Sequence, residues 1–473
     1  MTKLTPEISD KLRRIVGAKG WLDDPDIMAP YLTEWRGLIT GKAPAVLRPG
    51  STEEVAAVVK ICAEHDVPIV PQGGNTGLVG GGVPSTAGDQ LLINLGRMNR
   101  IRDIDPLDYT VTVEAGCVLA DLQMAAKSEN RLFPLSLAAE GSCQIGGNLA
   151  TNAGGILTVR YGNMRDLVLG LEVVLPDGRI WNGLRKLRKN NTGYDLKHLF
   201  IAAEGTLGII TAATLKLFPL PQHVAIAMVA VPSPQASVEL LSELRLQTGD
   251  AITAFELVPR LALELACRHV PGVADPFAAP HPWYVLMEVG AGGRQGDIGV
   301  SMEEALAGAI ERGLVLDAVV AQNMAQGQQF WRMRESLAEV QKEEGGSIRH
   351  DISVPVSRVP QFLEVATAAV LELMPDARPM PFGHVGDGNI HFNILKPSGL
   401  DSKAFQGQTA DINELVHDIL LSMGGSISAE HGIGAVRREE LARTADPLEL
   451  ELMRNIKAVL DPRGLMNPGK LLA

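Results

Sequence analysis

The sequence predicts an α+β protein divided into two or three domains, on three observations. At 473 residues the chain is long for one interior, since single cores stop growing beyond roughly 250–300 residues. From Ala45 onward, short apolar runs alternate with a helical stretch, a β-α-β beginning. Residues 381–393 read Pro-Phe-Gly-His-Val-Gly-Asp-Gly-Asn-Ile-His-Phe-Asn, two apolar runs about an Asp-Gly pair, which is the signature of an antiparallel hairpin.

Taken in order, Thr5-Pro6-Glu7 ahead of Ile8, Leu12, Ile15 and Val16 reads as a capped helix with one apolar face. A strand at residues 45–49 leads to a helix ending at Glu64, with Ser51 as N-cap and Glu54 completing a capping box, and then to a strand over residues 67–71. Residues 72–82 follow with six glycines in eleven positions. Backbone N–H groups unshielded by Cβ atoms can approach phosphate oxygens closely, so a pyrophosphate is the expected guest. Residues 140–155 mix close-approach glycines with Ser142, Asn148, Thr151 and Asn152, hydrogen-bonding groups suited to a ring and ribityl chain. Residues 203–211 run a glycine turn into an isoleucine-rich strand. These three segments are read as converging on one elongated cofactor. No G-x-G-x-x-G fingerprint follows a strand, which disfavours a Rossmann NAD site. The tail from Gly464 to Lys470 spaces its glycines like a P-loop, but Leu471 replaces the required Ser or Thr, so ATP binding is not expected.

Bulk properties narrow the function. The balance of 43 basic against 55 acidic residues gives −12, which argues against nucleic acid or an anionic membrane as the main partner. The cysteines at 62, 117, 143 and 267 form no C-x-x-C pair and read as reduced, mostly buried thiols. The first residues lack an apolar signal-peptide region, and no stretch approaches 18 apolar residues. A cytoplasmic location without a transmembrane segment is the expectation.

The hairpin carries chemistry. With Asp387-Gly388 as a two-residue loop, His384 falls opposite His391 and both imidazoles share one face. Asn393, two residues on, lies on that face too. Residues 429–434 read Ala-Glu-His-Gly-Ile-Gly, making Glu430 a candidate third ligand beside His431. Two imidazoles and one carboxylate resemble an open, catalytic metal site, suiting Zn²⁺ but admitting Mn²⁺, Fe²⁺ and Co²⁺.

At these residues the chain resembles the FAD-binding flavoproteins of the vanillyl-alcohol-oxidase and p-cresol-methylhydroxylase type, specifically the D-2-hydroxyacid dehydrogenase branch. The family's pyrophosphate loop is matched by residues 71–82 (Pro71, Gly73, Gly74, Asn75, Thr76, Gly77, Leu78). Its second flavin segment is matched by residues 141–155 (Gly141, Ser142, Gly146, Gly147, Asn148, Thr151, Asn152, Gly154, Gly155). Its third is matched by residues 204–211 (Glu204, Gly205, Gly208, Ile209), and its C-terminal Asn-Pro-Gly-Lys by residues 467–470, with Asn467. The resemblance implies a two-part FAD domain over residues 1–220 with its core at about 40–220, a cap with an antiparallel sheet over 221–425, and a segment over 426–473 packing back on the FAD domain. Asn75 stands where some relatives tether the flavin through His, so FAD is expected to be non-covalent.

The same resemblance implies metal ligation by His384, His391 and Glu430, and a catalytic base at His431 that also touches substrate. Arg334 matches an Arg that binds a substrate carboxylate, Asn393 matches a substrate-contacting Asn, and Arg349 stands where some glutarate enzymes have Lys. A Thr of that pocket falls on Ala338, which removes a hydroxyl. The implied activity is FAD- and metal-dependent oxidation of a small anionic D-2-hydroxyacid, D-2-hydroxyglutarate first, with D-lactate or glycolate dehydrogenase as the alternative. An electron acceptor is also required, whether an electron-transfer flavoprotein, a quinone or a cytochrome. Oligomeric state stays open, a homodimer included.

Overall fold

The computed structural model describes residues 4–292 and 298–472. Their backbone divides into two compact units. The first comprises residues 1–154, 163–220 and 430–473, and the second residues 155–162 and 221–429.

In the first unit the expected opening elements form. Helix Pro6–Val16 is capped by the Thr5 side chain, which accepts the Ile8 N–H, and buries Ile8, Leu12 and Val16. Helix Thr52–Glu64 is capped by Ser51. The capping box differs from the expectation in one half: Glu54 reaches the N–H of Gly50 at 2.7 Å rather than that of Ser51. The two helices pack their apolar faces on strands Ile69–Gln72 and Leu91–Asn94 in one core. These strands run parallel to each other and to Val46–Leu47, as a β-α-β unit requires. The chain returns here at its other end. Ile69 donates to Leu465 O at 2.8 Å and accepts from the Asn467 N–H at 2.7 Å, adding a parallel bridge at Met466. A second, five-stranded antiparallel sheet contains Thr110–Glu114, Ile209–Lys216 and Val168–Val174 side by side.

The second unit holds a four-stranded antiparallel sheet in the order Ile252–Pro259, Trp283–Ala291, His223–Val231, Asp317–Val320. A smaller sheet centres on Asn389–Leu395, which pairs with Arg378–Phe382 and with the short strands Ser347–Ile348 and Ile352–Ser353. Helix Met324–Glu343 packs Phe330, Met333, Leu337 and Val340 into the core these sheets share. All four cysteines are free thiols, three of them buried. Among the described residues no helix is long and apolar enough to cross a membrane.

Candidate active site

Within the first unit, the three glycine segments line one cavity enclosing about 1080 Å³, solvent at its mouth included. Each wall has a local cause. Gln72, at the end of its strand, donates to Tyr31 O and to Gly82 O, both at 2.8 Å, and so closes the loop back on itself. Asn94 donates to Gly73 O at 2.9 Å. Asn75 takes a left-handed conformation, φ +55°, which Asn tolerates better than most residues, and its amide donates to Pro30 O and Thr33 O. At Gly74 an added Cβ would lie 2.2 Å from Ser142 O, so the first and second segments meet backbone to backbone.

The third segment joins at Glu204, a buried side chain whose two oxygens accept the N–H groups of Ile433 and Gly434 at 2.8 and 2.7 Å. Burial pushes its carboxyl above the ordinary value, against the opposite pull of those two donors. Asn467 donates to Glu204 O and Gly81 O, linking the tail to the first and third segments. His431 lines the same cavity.

The wall fits FAD. Gln144 Oε1 and Asn148 Oδ1 are buried acceptors without a hydrogen-bond partner among the described residues, and both line the cavity. A Cβ built at Gly77 or Gly147 would meet no described atom within 4 Å, so these backbones border open space. Of the residues expected to bind the cofactor, Pro71, Gly73, Gly74, Asn75, Thr76, Gly77, Gly146, Gly147, Asn148, Thr151, Glu204, Gly205, Gly208 and Ile209 form the wall. Leu78, Gly141, Ser142, Asn152, Gly154, Gly155 and Asn467 lie outside it. Asn152 takes φ +51° and accepts the Arg165 N–H, which is turn chemistry. Glu34 and Gln144 line the cavity without having been singled out from sequence; Glu34 is buried at 2% exposure.

In the second unit the hairpin register departs from the expected one. Phe382, not His384, faces His391, and eight residues, 383–390, lie inside that closing pair instead of two. Gly383 leaves the ladder to bridge Leu257, donating to Leu257 O at 3.1 Å and accepting its N–H at 2.8 Å. His384 O then accepts the N–H groups of both Asp387 and Gly388. The imidazoles of His384 and His391 nevertheless come together, ring centroids 5.6 Å apart.

Glu430 is peptide-bonded to Ala429, whose N–H is held by Asp351 O at 3.2 Å beside the strand that pairs with Asn389–Leu395. Ligand atoms of His384, His391 and Glu430 all lie within 4.8 Å of one another, an N,N,O donor set that fits a divalent cation. A further carboxylate, not anticipated from sequence, stands behind it. Glu256 is completely buried, and its Oε1 accepts from His384 Nδ1 at 2.6 Å. Burial alone would raise this carboxyl, but His384 and Arg334 outweigh it and hold the group down at about 2. Against an ionised Glu256, Nδ1 is the nitrogen that donates, which leaves Nε2 as the one that could face a cation.

Arg334 is 9% exposed, not part of the solvated charge run that surrounds it in sequence. Its Nε donates to Glu256 Oε2 at 2.8 Å, and its guanidinium lies 4.9 Å from the Phe382 ring. Nη2 is 2.6 Å from the same oxygen as an ion pair, yet makes no hydrogen bond among the described residues. Arg349 is exposed and donates to Ser347 Oγ and Ala338 O. Asn393 is buried; it donates to Gln341 Oε1 at 3.1 Å and accepts the His350 N–H at 3.3 Å, so its amide already ties strand to helix.

Comparisons with known proteins identify the family. Residues 43–183 match the FAD binding domain family, and residues 220–471 match the C-terminal domain of FAD linked oxidases. The chain is 40% identical over 460 residues to D-2-hydroxyglutarate dehydrogenase of Xanthomonas citri pv. viticola, covering 97% of this chain and 96% of that one. It is 38% identical over 473 residues to the enzyme of that name in Stutzerimonas stutzeri, covering 99% of both. With the mitochondrial D-2-hydroxyglutarate dehydrogenase of Arabidopsis thaliana it shares 36% identity over 97% of this chain and 80% of the relative. Among solved structures, substrate-bound p-cresol methylhydroxylase has the same fold, with a TM-score of 0.74 at 19% identity over 98% of this chain and 96% of that one. Alkyldihydroxyacetonephosphate synthase gives 0.75 at 18% identity, over 98% and 85%.

Proposed function

The chain belongs to the FAD linked oxidases, the family of the D-2-hydroxyglutarate dehydrogenases above, and is an FAD-dependent dehydrogenase; from that premise we propose that it oxidises D-2-hydroxyglutarate to 2-oxoglutarate. One observation carries the reading. Glu430, whose carboxylate is grouped with the His384 and His391 ligand atoms, is followed directly by His431, which lines the glycine-rich cavity. When bound, FAD would supply the two-electron acceptor, and a divalent cation, Zn²⁺ by its donor set, would supply Lewis acidity toward the 2-hydroxyl.

The residues of the chain do the rest. His384, His391 and Glu430 would hold the cation, and the glycine segments the cofactor, non-covalently. His431 takes the 2-hydroxyl proton on a ring nitrogen as C2 loses hydride, a general-base contribution of roughly 10²–10⁴-fold. Arg334, a buried cation, would pair with the distal carboxylate, with Arg349 supplying a second cation and Asn393 a polar neighbour. A buried guanidinium in a substrate site discriminates against a substrate that lacks a matching anion, which favours the dicarboxylate over D-lactate. Electrons then pass to an acceptor of the flavoprotein, quinone or cytochrome class.

Anaerobic titration of the oxidised holoenzyme tests this. Bleaching of the flavin absorbance by D-2-hydroxyglutarate at much lower concentration than by D-lactate or glycolate is the expected result. Bleaching by D-lactate alone would transfer the assignment to that substrate, and bleaching by none of them would remove it.

A further inference from the structure

Glu256 occupies an unusual position for a charge. Every residue of its strand, Ile252–Pro259, is buried, and an unpaired carboxylate there would cost several kcal/mol. The bridge between Leu257 and Gly383 explains how the charge is tolerated. In an antiparallel pairing, the residue before Leu257 faces the residue after Gly383, so Glu256 and His384 oppose each other. The geometry depends on glycine: Gly383 has φ +150°, and a Cβ there would stand 2.7 Å from Asn389 O. The two carboxylate oxygens are then divided. Oε1 serves His384 and Oε2 serves Arg334.

We infer that Glu256 is a positioning residue that couples Arg334 to the metal ligand His384, so that the cation affinity of the enzyme depends on the charge at Arg334. The inference rests on the metal reading given above. One negative charge is shared by two partners. With the guanidinium in place, part of it is neutralised; with the guanidinium removed or drawn off by another anion, the whole of it falls on the Nδ1–H of His384. That polarises the ring and makes Nε2 a stronger donor. Because such coupling is reciprocal, a substrate carboxylate engaging Arg334 tightens the grip of His384 on the cation, and a bound cation favours substrates that carry a distal carboxylate.

The test is Zn²⁺ affinity, measured by chelator competition on the FAD-loaded full chain without substrate, so that turnover plays no part. Glu256→Gln is expected to weaken Zn²⁺ binding about 10–100-fold, with Glu256→Asp recovering part of it. Arg334→Gln is expected to tighten binding about fivefold, Arg334→Lys to behave as wild type, and the Arg334→Gln effect to vanish when combined with Glu256→Gln. Should Glu256→Gln not fold, the Arg334→Gln and Arg334→Lys pair decides alone. Zn²⁺ affinity unchanged or weakened by Arg334→Gln would overturn the coupling while leaving the metal site standing. A wild-type enzyme that takes up no Zn²⁺ would overturn the metal reading and the coupling together.

Discussion

Glu204 holds Gly434 by its backbone, an oxygen of the carboxylate lying 2.7 Å from the Gly434 nitrogen and its partner oxygen 2.8 Å from that of Ile433. A residue of the third glycine segment thereby fixes the stretch just past His431. Gly432 is pressed against the same group, since a Cβ there would sit 2.9 Å from Oε1. Replacing Glu204 with Ala leaves two buried N–H groups unpaired, at a cost of about 2–4 kcal/mol. The expected outcome is a lower Tm, together with slower flavin reduction in single-turnover measurements; an unchanged Tm would contradict it.

The same residue sets a pH trend. Burial raises the Glu204 carboxyl above its ordinary 4.5, so the folded state binds its proton more readily than the unfolded chain. Its contribution is fully present below 4.5 and is lost as pH rises through the raised value. The stability of wild type relative to Glu204→Gln should therefore fall as pH increases from 4.5. Thermal melts of both proteins across that range decide the sign, and a rising difference would refute it.

His431→Ala should retain FAD and slow its reduction by D-2-hydroxyglutarate about 10²–10⁴-fold. Rapid-mixing absorbance on the anaerobic enzyme measures this directly. Reduction at the wild-type rate would remove His431 from the proton-transfer step.

His384→Ala should lose stoichiometric metal along with activity, since it deletes one of the three proposed ligands. Elemental analysis of the purified variant is the check. Full metal content would show that His384 is not a ligand.

Two glycine substitutions should separate packing from cofactor space. Gly74→Ala places a Cβ 2.2 Å from a backbone oxygen, a clash between two main chains that neither can relieve cheaply, so a Tm loss worth at least about 1–3 kcal/mol is expected. Gly147→Ala meets no described atom within 4 Å and should fold normally while binding FAD roughly tenfold more weakly, because its methyl group intrudes on the cavity. Equal behaviour of the two variants would contradict this assignment.

Local chemistry made much of the molecule readable in advance. Thr5 and Ser51 cap the helices they were expected to cap, because capping is decided within three residues. The glycine segments line one cavity because closely spaced glycines leave few other uses. The hairpin register was misread, since Gly383 takes its hydrogen bonds from Leu257, far away in sequence, and a distant partner leaves no trace in a local pattern. Glu256 escaped for the same reason: a single acidic residue in an apolar run gains meaning only from the guanidinium and the imidazole folded against it. Arg334 stands among charged neighbours in sequence, yet its own position faces inward.

The bridge from Ile69 to Met466, reinforced by Asn467, ties an early strand of the first unit to a stretch made almost four hundred residues later. During synthesis on the ribosome, the glycine loop after Ile69 therefore stays without its closing contact until residue 467 has emerged. Chains truncated before residue 467 are therefore expected to hold FAD less tightly than the full chain, since they lack the contacts of Asn467 with Gly81 and Glu204.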